Sequence, residues 1–243
     1  MSSPRTSNLT LHILVALVLV GCGESGDAAN AAIAAGENYF PNVVTGEGFP
    51  NPNPNRIGSW ATLPPGRQWG STAGIDIDPT DGHVWAYERC GSGSAGGPGI
   101  NCDSNPVDPI FKFDRNTGAI LENFGAGILV TPHGIHVDSE GNVWVTDFAA
   151  NAAGTKGHQV HKFSPDGVLL LSLGTAGRPG NDPNHLNQPN DVIVAPDGSI
   201  FVAESHGAQF LDEPGPTAIG RISKFAPDGT FITGILLAND PPP

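Results

Sequence analysis

Across the C-terminal 170 residues, apolar positions alternate with polar ones or gather into short β-branched runs. A D/P-x-D-G or E-G-N turn stands between runs of about five residues. The spacing predicts strands joined by tight turns. One phrase occurs three times: GIDIDPTDGHVWAYE from Gly74, HGIHVDSEGNVWVTD from His133 and NDVIVAPDGSIFVAE from Asn190. A shorter phrase follows each copy: IFKFDRNTGAILENFG from Ile110, VHKFSPDGVLLLSLG from Val160 and ISKFAPDGTFITGIL from Ile222. Ile75, Ile135 and Val192 fall at matching places, 60 and then 57 residues apart, a period that signals a repeat architecture.

Two hairpins per copy make four strands, and four-stranded sheets repeated around an axis are the blades of a β-propeller. A β-sandwich would explain the strands but not the repeated order of motifs. The expected fold is therefore all-β, with about three four-stranded blades, the front half of a longer propeller; Ile57 to Pro64 offers one extra strand. Two completions stay open: blades encoded beyond this chain, or self-association with a second copy. An open arc leaves sheet edges that favour association.

The N-terminus changes the picture of where the protein works. Arg5 precedes an apolar stretch from Leu9 to Val20, too short to span a bilayer and suited to the core of a secretory signal. It ends in Leu19-Val20-Gly21-Cys22, which resembles the lipobox of bacterial lipoproteins and makes Cys22 the expected lipidated residue. Residues 1–22 are thus expected as a lipoprotein-type signal, 23–56 as a disordered tether too poor in apolar side chains to order itself, and 57–243 as the partial propeller. The expected location is exported, periplasmic or cell-surface, with the membrane reached only through the lipid anchor. With Cys22 lipidated, Cys90 and Cys102 remain as a disulfide pair.

A net charge of −13 leaves no basic stripe for phosphates and argues against nucleic acid. No GxSxG, P-loop or dinucleotide fingerprint occurs, which removes the commonest hydrolase and nucleotide-binding classes. Eight histidines are present, and His133 opens the second copy where a first strand enters the centre of a propeller. Imidazole is the commonest metal-binding side chain, and an axis gathers equivalent positions from several blades.

PPGRQWGSTAGIDIDP, FGAGILVTPHGIHVDSEGNVWVTD, GHQVHKF and LGTAGRPGNDPNHLNQPNDVIVAPDGSIFVAE together resemble the peptidyl-α-hydroxyglycine α-amidating lyases, six-bladed propellers of the NHL-repeat type. The similarity runs from about Trp60 to Phe231. It implies a zinc ion on the axis with His133 as the first of three histidine ligands, and a calcium ion held partly by the backbone carbonyls of Ile75 and Ile135. It implies that Arg89 grips the substrate carboxylate, a role suited to its bidentate fork. It places His206 where the family has a tyrosine base. The implied reaction cleaves the N–Cα bond of a C-terminal α-hydroxyglycine to give a peptide amide and glyoxylate. The family's other two zinc histidines and its calcium carboxylate lie in later blades than the three present, so the zinc site is expected to be incomplete, and inactivity of the chain as encoded stays open. The other reading is a propeller that binds a peptide, glycan or protein on its axis without chemistry. His158 is expected to fix a strand or channel wall, Asp138, Asp147, Asp166, Asp197 and Asp228 to serve turns, and His185 and Asp191 to sit near the channel.

Overall fold

The computed structural model describes residues 60–67, 69–91, 101–204 and 220–236. Cys22, the signal and tether segments, and His206 lie outside them. Twelve strands form three antiparallel four-stranded sheets in simple chain order. The first holds β1 (Ile75–Ile77), β2 (Val84–Tyr87), β3 (Ile110–Phe113) and β4 (Ile120–Phe124). The second holds β5 (Pro132–Val137), β6 (Val143–Asp147), β7 (Gln159–Phe163) and β8 (Leu169–Leu173). The third holds β9 (Asp191–Val194), β10 (Ile200–Glu204), β11 (Arg221–Phe225) and β12 (Phe231–Leu236).

The first strands of successive sheets are neighbours, β1 beside β5 and β5 beside β9, so the sheets fan out from one axis as propeller blades. The expected three four-stranded blades are present. Among the described residues no helix is long and apolar enough to cross a membrane.

Period-2 alternation dictates the packing, because successive side chains on a strand face opposite neighbours. Trp85, Tyr87, Ile110 and Phe124 of blade 1 meet Ile135, Val137, Val143, Val145 and Phe163 of blade 2. The next interface repeats the scheme, with Trp144, Val160 and Leu173 of blade 2 against Val192, Ile200, Val202 and Phe225 of blade 3. The other side of blade 1 is covered by Trp60, Ala61 and Leu63, which pack on Val84, Phe111 and Phe113. Here the described part of IGSWATLP, from Trp60 on, supplies a cover for the sheet and forms no strand.

A polar device recurs on the same framework. Asp78 accepts the Trp85 indole N–H at 3.0 Å and pairs with Lys112, whose ammonium stands 5.3 Å from the Trp85 ring centre. Asp138, Trp144 and Lys162 repeat this arrangement in blade 2, at 3.0 Å for the indole bond and 5.1 Å for the ammonium. Burial alone would raise the Asp78 carboxyl; the bonds from Lys112, Thr80 and Trp85 outweigh it and hold the group well below the usual range. In blade 3 phenylalanine replaces the indole at Phe201, and Ala195 stands where the aspartate would be. Lys224 keeps its place 5.3 Å from the ring.

Candidate functional site

At the end of the second strand of each described blade, or one residue past it, stands a buried carboxylate that anchors the loop leading into the first strand. Glu88 accepts the Gly70 and Gly91 amides and pairs with Arg67. Glu204 accepts the Asn187 amide and a fork from Arg221, at 3.0 and 2.9 Å. Asp147 accepts the amides of Val130 at 2.9 Å and Thr131 at 2.5 Å. Burial drives its carboxyl up to about 7 against the pull of those two N–H groups. These loops deliver Ala73, Pro132 and Asn190 to the axis.

A second rung of bonds crosses between blades at the same level. The Tyr87 hydroxyl donates to the carbonyl of His133, and the Thr146 hydroxyl donates to the carbonyl of Asn190 at 3.2 Å. Burial raises the Tyr87 phenol further above its usual value, so it stays protonated as a donor. Tight approach of the strands explains the glycines. A Cβ at Gly134 would meet the Asn190 carbonyl at 2.6 Å, and one at Gly74 would meet the Ile135 side chain at 3.0 Å.

The result is a cavity of about 360 Å³ at the leading ends of the inner strands, lined by Ala73, Gly74, Ile75, His133, Ile135 and Asp191 among others. His133 is half-buried in its wall, with Nδ1 2.9 Å from the Asn190 carbonyl. A carbonyl accepts only, so Nδ1 carries the proton and the lone pair sits on Nε2. Burial lowers the His133 pKa, with the nearby Arg89 charge acting the same way and the Asn190 bond opposing. The ring is therefore neutral near pH 7. A carbonyl bond of this kind fixes the tautomer and the ring orientation of an imidazole.

Arg89 follows Glu88 and reaches back to the same place. Its Nε donates to the Pro132 carbonyl at 3.0 Å, and its guanidinium carbon lies 5.6 Å from the Phe148 ring centre. Phe148 also meets the His133 ring edge-on at 5.6 Å. The structure thus brings together four of the residues expected to serve the site: Arg89, His133, Ile75 and Ile135. Cys90 and Cys102 form the expected disulfide.

Of the metal ligands that the resemblance implies, the described residues include His133 and the carbonyls of Ile75 and Ile135. Among the described residues no group of three histidine, cysteine, aspartate or glutamate side chains could hold a metal. One imidazole does not make a zinc centre.

The remaining expectations sort by contact. His158 sits at φ 55° and its Nδ1 accepts the Gln188 amide at 3.2 Å, tying β7 to the loop before β9. His185 pairs with Asp182 at 2.8 Å on the outer side of that loop. Asp138, Asp197 and Asp228 cap turns through the amides of Glu140, Ser199 and Thr230. Asp166 takes the Ser164 hydroxyl. Sequence reading passed over Asn190, whose carbonyl serves both His133 and Thr146 and whose side-chain Oδ1 is buried without a partner. Its only signal was its place heading the third copy, where His133 heads the second.

No family model matches the chain. It is 38% identical over 130 residues to the rat peptidylglycine α-amidating monooxygenase, covering 52% of this chain and 11% of that protein. It is 30% identical over 191 residues to a probable peptidyl-α-hydroxyglycine α-amidating lyase of Caenorhabditis elegans, covering 72% of this chain and 47% of that protein. A Drosophila melanogaster peptidyl-α-hydroxyglycine α-amidating lyase is 37% identical over 98 residues, 40% of this chain and 22% of its own length. The matched stretch thus spans less than half the length of these relatives. Among solved structures, virginiamycin B lyase from Staphylococcus aureus overlays with a TM-score of 0.43 at 19% identity, over 71% of this chain and 43% of its own. A Xanthomonas campestris gluconolactonase overlays with a TM-score of 0.40 at 17% identity, over 68% and 46%. By its blades the described part of this chain is a β-propeller segment, and by its sequence it is similar to the peptidyl-α-hydroxyglycine α-amidating lyases.

Proposed function

We propose that the axial cavity binds a C-terminal α-hydroxyglycine and that the chain is lyase-like, directed at its N–Cα bond. The observation that carries this reading is the joint placement of Arg89 and His133, through Pro132 and Phe148, in a region similar to lyases by name. Arg89 holds the substrate carboxylate by its planar fork. His133 contributes a neutral imidazole to the wall of the same cavity. Removal of the hydroxyl proton lets the carbonyl of glyoxylate form as the N–Cα electron pair moves to nitrogen, which is then protonated to the amide. His206 is the residue we assign to that first proton. The disulfide favours an oxidising compartment, in keeping with export and lipidation at Cys22.

The test is glyoxylate release from an N-acyl-α-hydroxyglycine. Glyoxylate and amide should form in equal amounts, and Arg89→Ala should raise KM by about 2 kcal/mol, roughly thirtyfold, for loss of a charge-assisted pair. Release no faster than in buffer would leave a ligand-binding propeller without this chemistry.

A further inference from the structure

The residue that would grip the carboxylate sits in an unusual stretch of backbone. Arg89 is the centre of a three-residue turn closed by the Cys90 amide and the Glu88 carbonyl at 2.9 Å. Its own amide donates to the Ser71 carbonyl at 3.1 Å. On one side Glu88 is fixed by its contacts to Gly70, Gly91 and Arg67. On the other, Cys90 adopts φ 50°, a left-handed conformation that costs a residue bearing a Cβ about 1–2 kcal/mol. Such a conformation persists only where the surroundings over-determine it.

The disulfide to Cys102 belongs to those surroundings. Both cysteines are buried, 0% and 1% exposed. Asn105 donates from Nδ2 to the Cys90 carbonyl at 2.9 Å, and the Cys102 amide donates to the Val130 carbonyl at 2.7 Å. Val130 and Thr131 are in turn held by the Asp147 carboxylate, and Pro132 follows them. The Pro132 carbonyl accepts Arg89 Nε. A closed mechanical circuit therefore runs from Arg89 through Cys90, the S–S bond, Cys102, Val130 and Pro132 back to the guanidinium. It couples the arginine of blade 1 to the loop that carries His133 of blade 2.

We propose that the Cys90–Cys102 disulfide is a positioning device for Arg89, holding the guanidinium on the Pro132 carbonyl at the spacing from His133 that a bound carboxylate needs. The proposal rests on the carboxylate role assigned to Arg89 above, but the position of the arginine is measurable without it.

The experiment compares the full chain with its Cys90→Ala/Cys102→Ala variant in two ways. Modification of arginines by phenylglyoxal, mapped by peptide mass spectrometry, reports the holding of Arg89 against the exposed Arg115 and Arg178. Steady-state kinetics on an N-acyl-α-hydroxyglycine report KM and kcat separately. Arg89 should react about tenfold faster in the variant while Arg115 and Arg178 do not change, and KM should rise about tenfold, ~1.4 kcal/mol, with kcat kept. An unchanged Arg89 rate in a folded variant overturns the proposal, as does a fall in kcat at constant KM. If the variant does not fold, the folded wild-type chain with its disulfide reduced by a phosphine takes its place, and unaltered Arg89 reactivity there overturns it equally. A wild-type chain that releases no glyoxylate, yet whose Arg89 is freed by loss of the disulfide, overturns the lyase reading and leaves the positioning role standing.

Discussion

Asp147 and His161 are both deep in blade 2, and burial moves them in opposite directions. Asp147 stands at about 7, so the folded state binds a proton that the unfolded state has released above about 4. Its contribution to stability is fully present below pH 4 and is lost as pH rises through 7. His161 is pushed down to about 4, its Nδ1 on the Ser172 hydroxyl and its Nε2 buried without a partner. The unfolded state binds the proton first there, so that contribution is present above pH 6.5 and is lost as pH falls toward 4. Asp147→Asn should therefore flatten the loss of thermal stability between pH 4 and 7, and His161→Leu the loss between pH 6.5 and 4, both read as Tm against pH. Parallel curves for wild type and variant would show that the group titrates normally. Asp147 was legible in the sequence as a structural carboxylate at a strand end. That Asp147, unlike Glu88 and Glu204, forms no ion pair among the described residues was not, because Arg67 and Arg221 reach those two from 21 and 17 residues away with no spacing to announce them.

Blades hold together through their repeated devices, and blade 3 shows which parts depend on one another. Where the aromatic residue has an indole N–H, an aspartate receives it; where it is Phe201, the aspartate is Ala195. The pattern predicts coupling in blade 2. Asp138→Ala strands the buried Trp144 N–H and two turn amides, at a cost of about 1–3 kcal/mol. Adding Trp144→Phe should recover about 1 kcal/mol of that loss in a double-mutant cycle by urea unfolding. Strict additivity would mean that the indole bond contributes nothing beyond packing. Trp144→Ala empties the interface to Val192 and Val202 and should cost about 3–5 kcal/mol. Strand number, blade count and period were all readable from the alternation, since each strand has one residue set for each neighbouring blade. The bonds between blades were not, because Tyr87, Thr146 and Ala203 occupy equivalent places with nothing in common as a motif.

Two forces of opposite sign act on the molecule as a whole. The described blades leave apolar side chains on both outer flanks: Ile75 and Ile77 at 65% and 52% exposed on blade 1, and Ile193 and Ile235 at 55% and 51% on blade 3. On blade 3 they adjoin an apolar hollow of about 210 Å³ lined by Ile193, Phe201, Ala203 and Ile222. Ile75 and Ile77 match Ile135 and Val137, and Phe201, Ile222 and Ile235 match Trp144, Val160 and Leu173; the matched residues of blade 2 are all covered at the two inner interfaces. Exposed apolar patches of this kind promote association, whereas a net charge of −13 keeps copies apart. Salt weakens only the second force: the screening length falls from about 30 Å at 0.01 M to about 10 Å at 0.1 M. Sedimentation mass should therefore grow on passing from 0.01 to 0.5 M salt, and it should grow as pH approaches the isoelectric point near 4.7. Ile193→Glu with Ile235→Glu places charge on the flank without touching a buried contact, and should hold the mass at the monomer across the same salt range. A mass that ignores salt in the wild type would mean that these flanks are already satisfied within one chain.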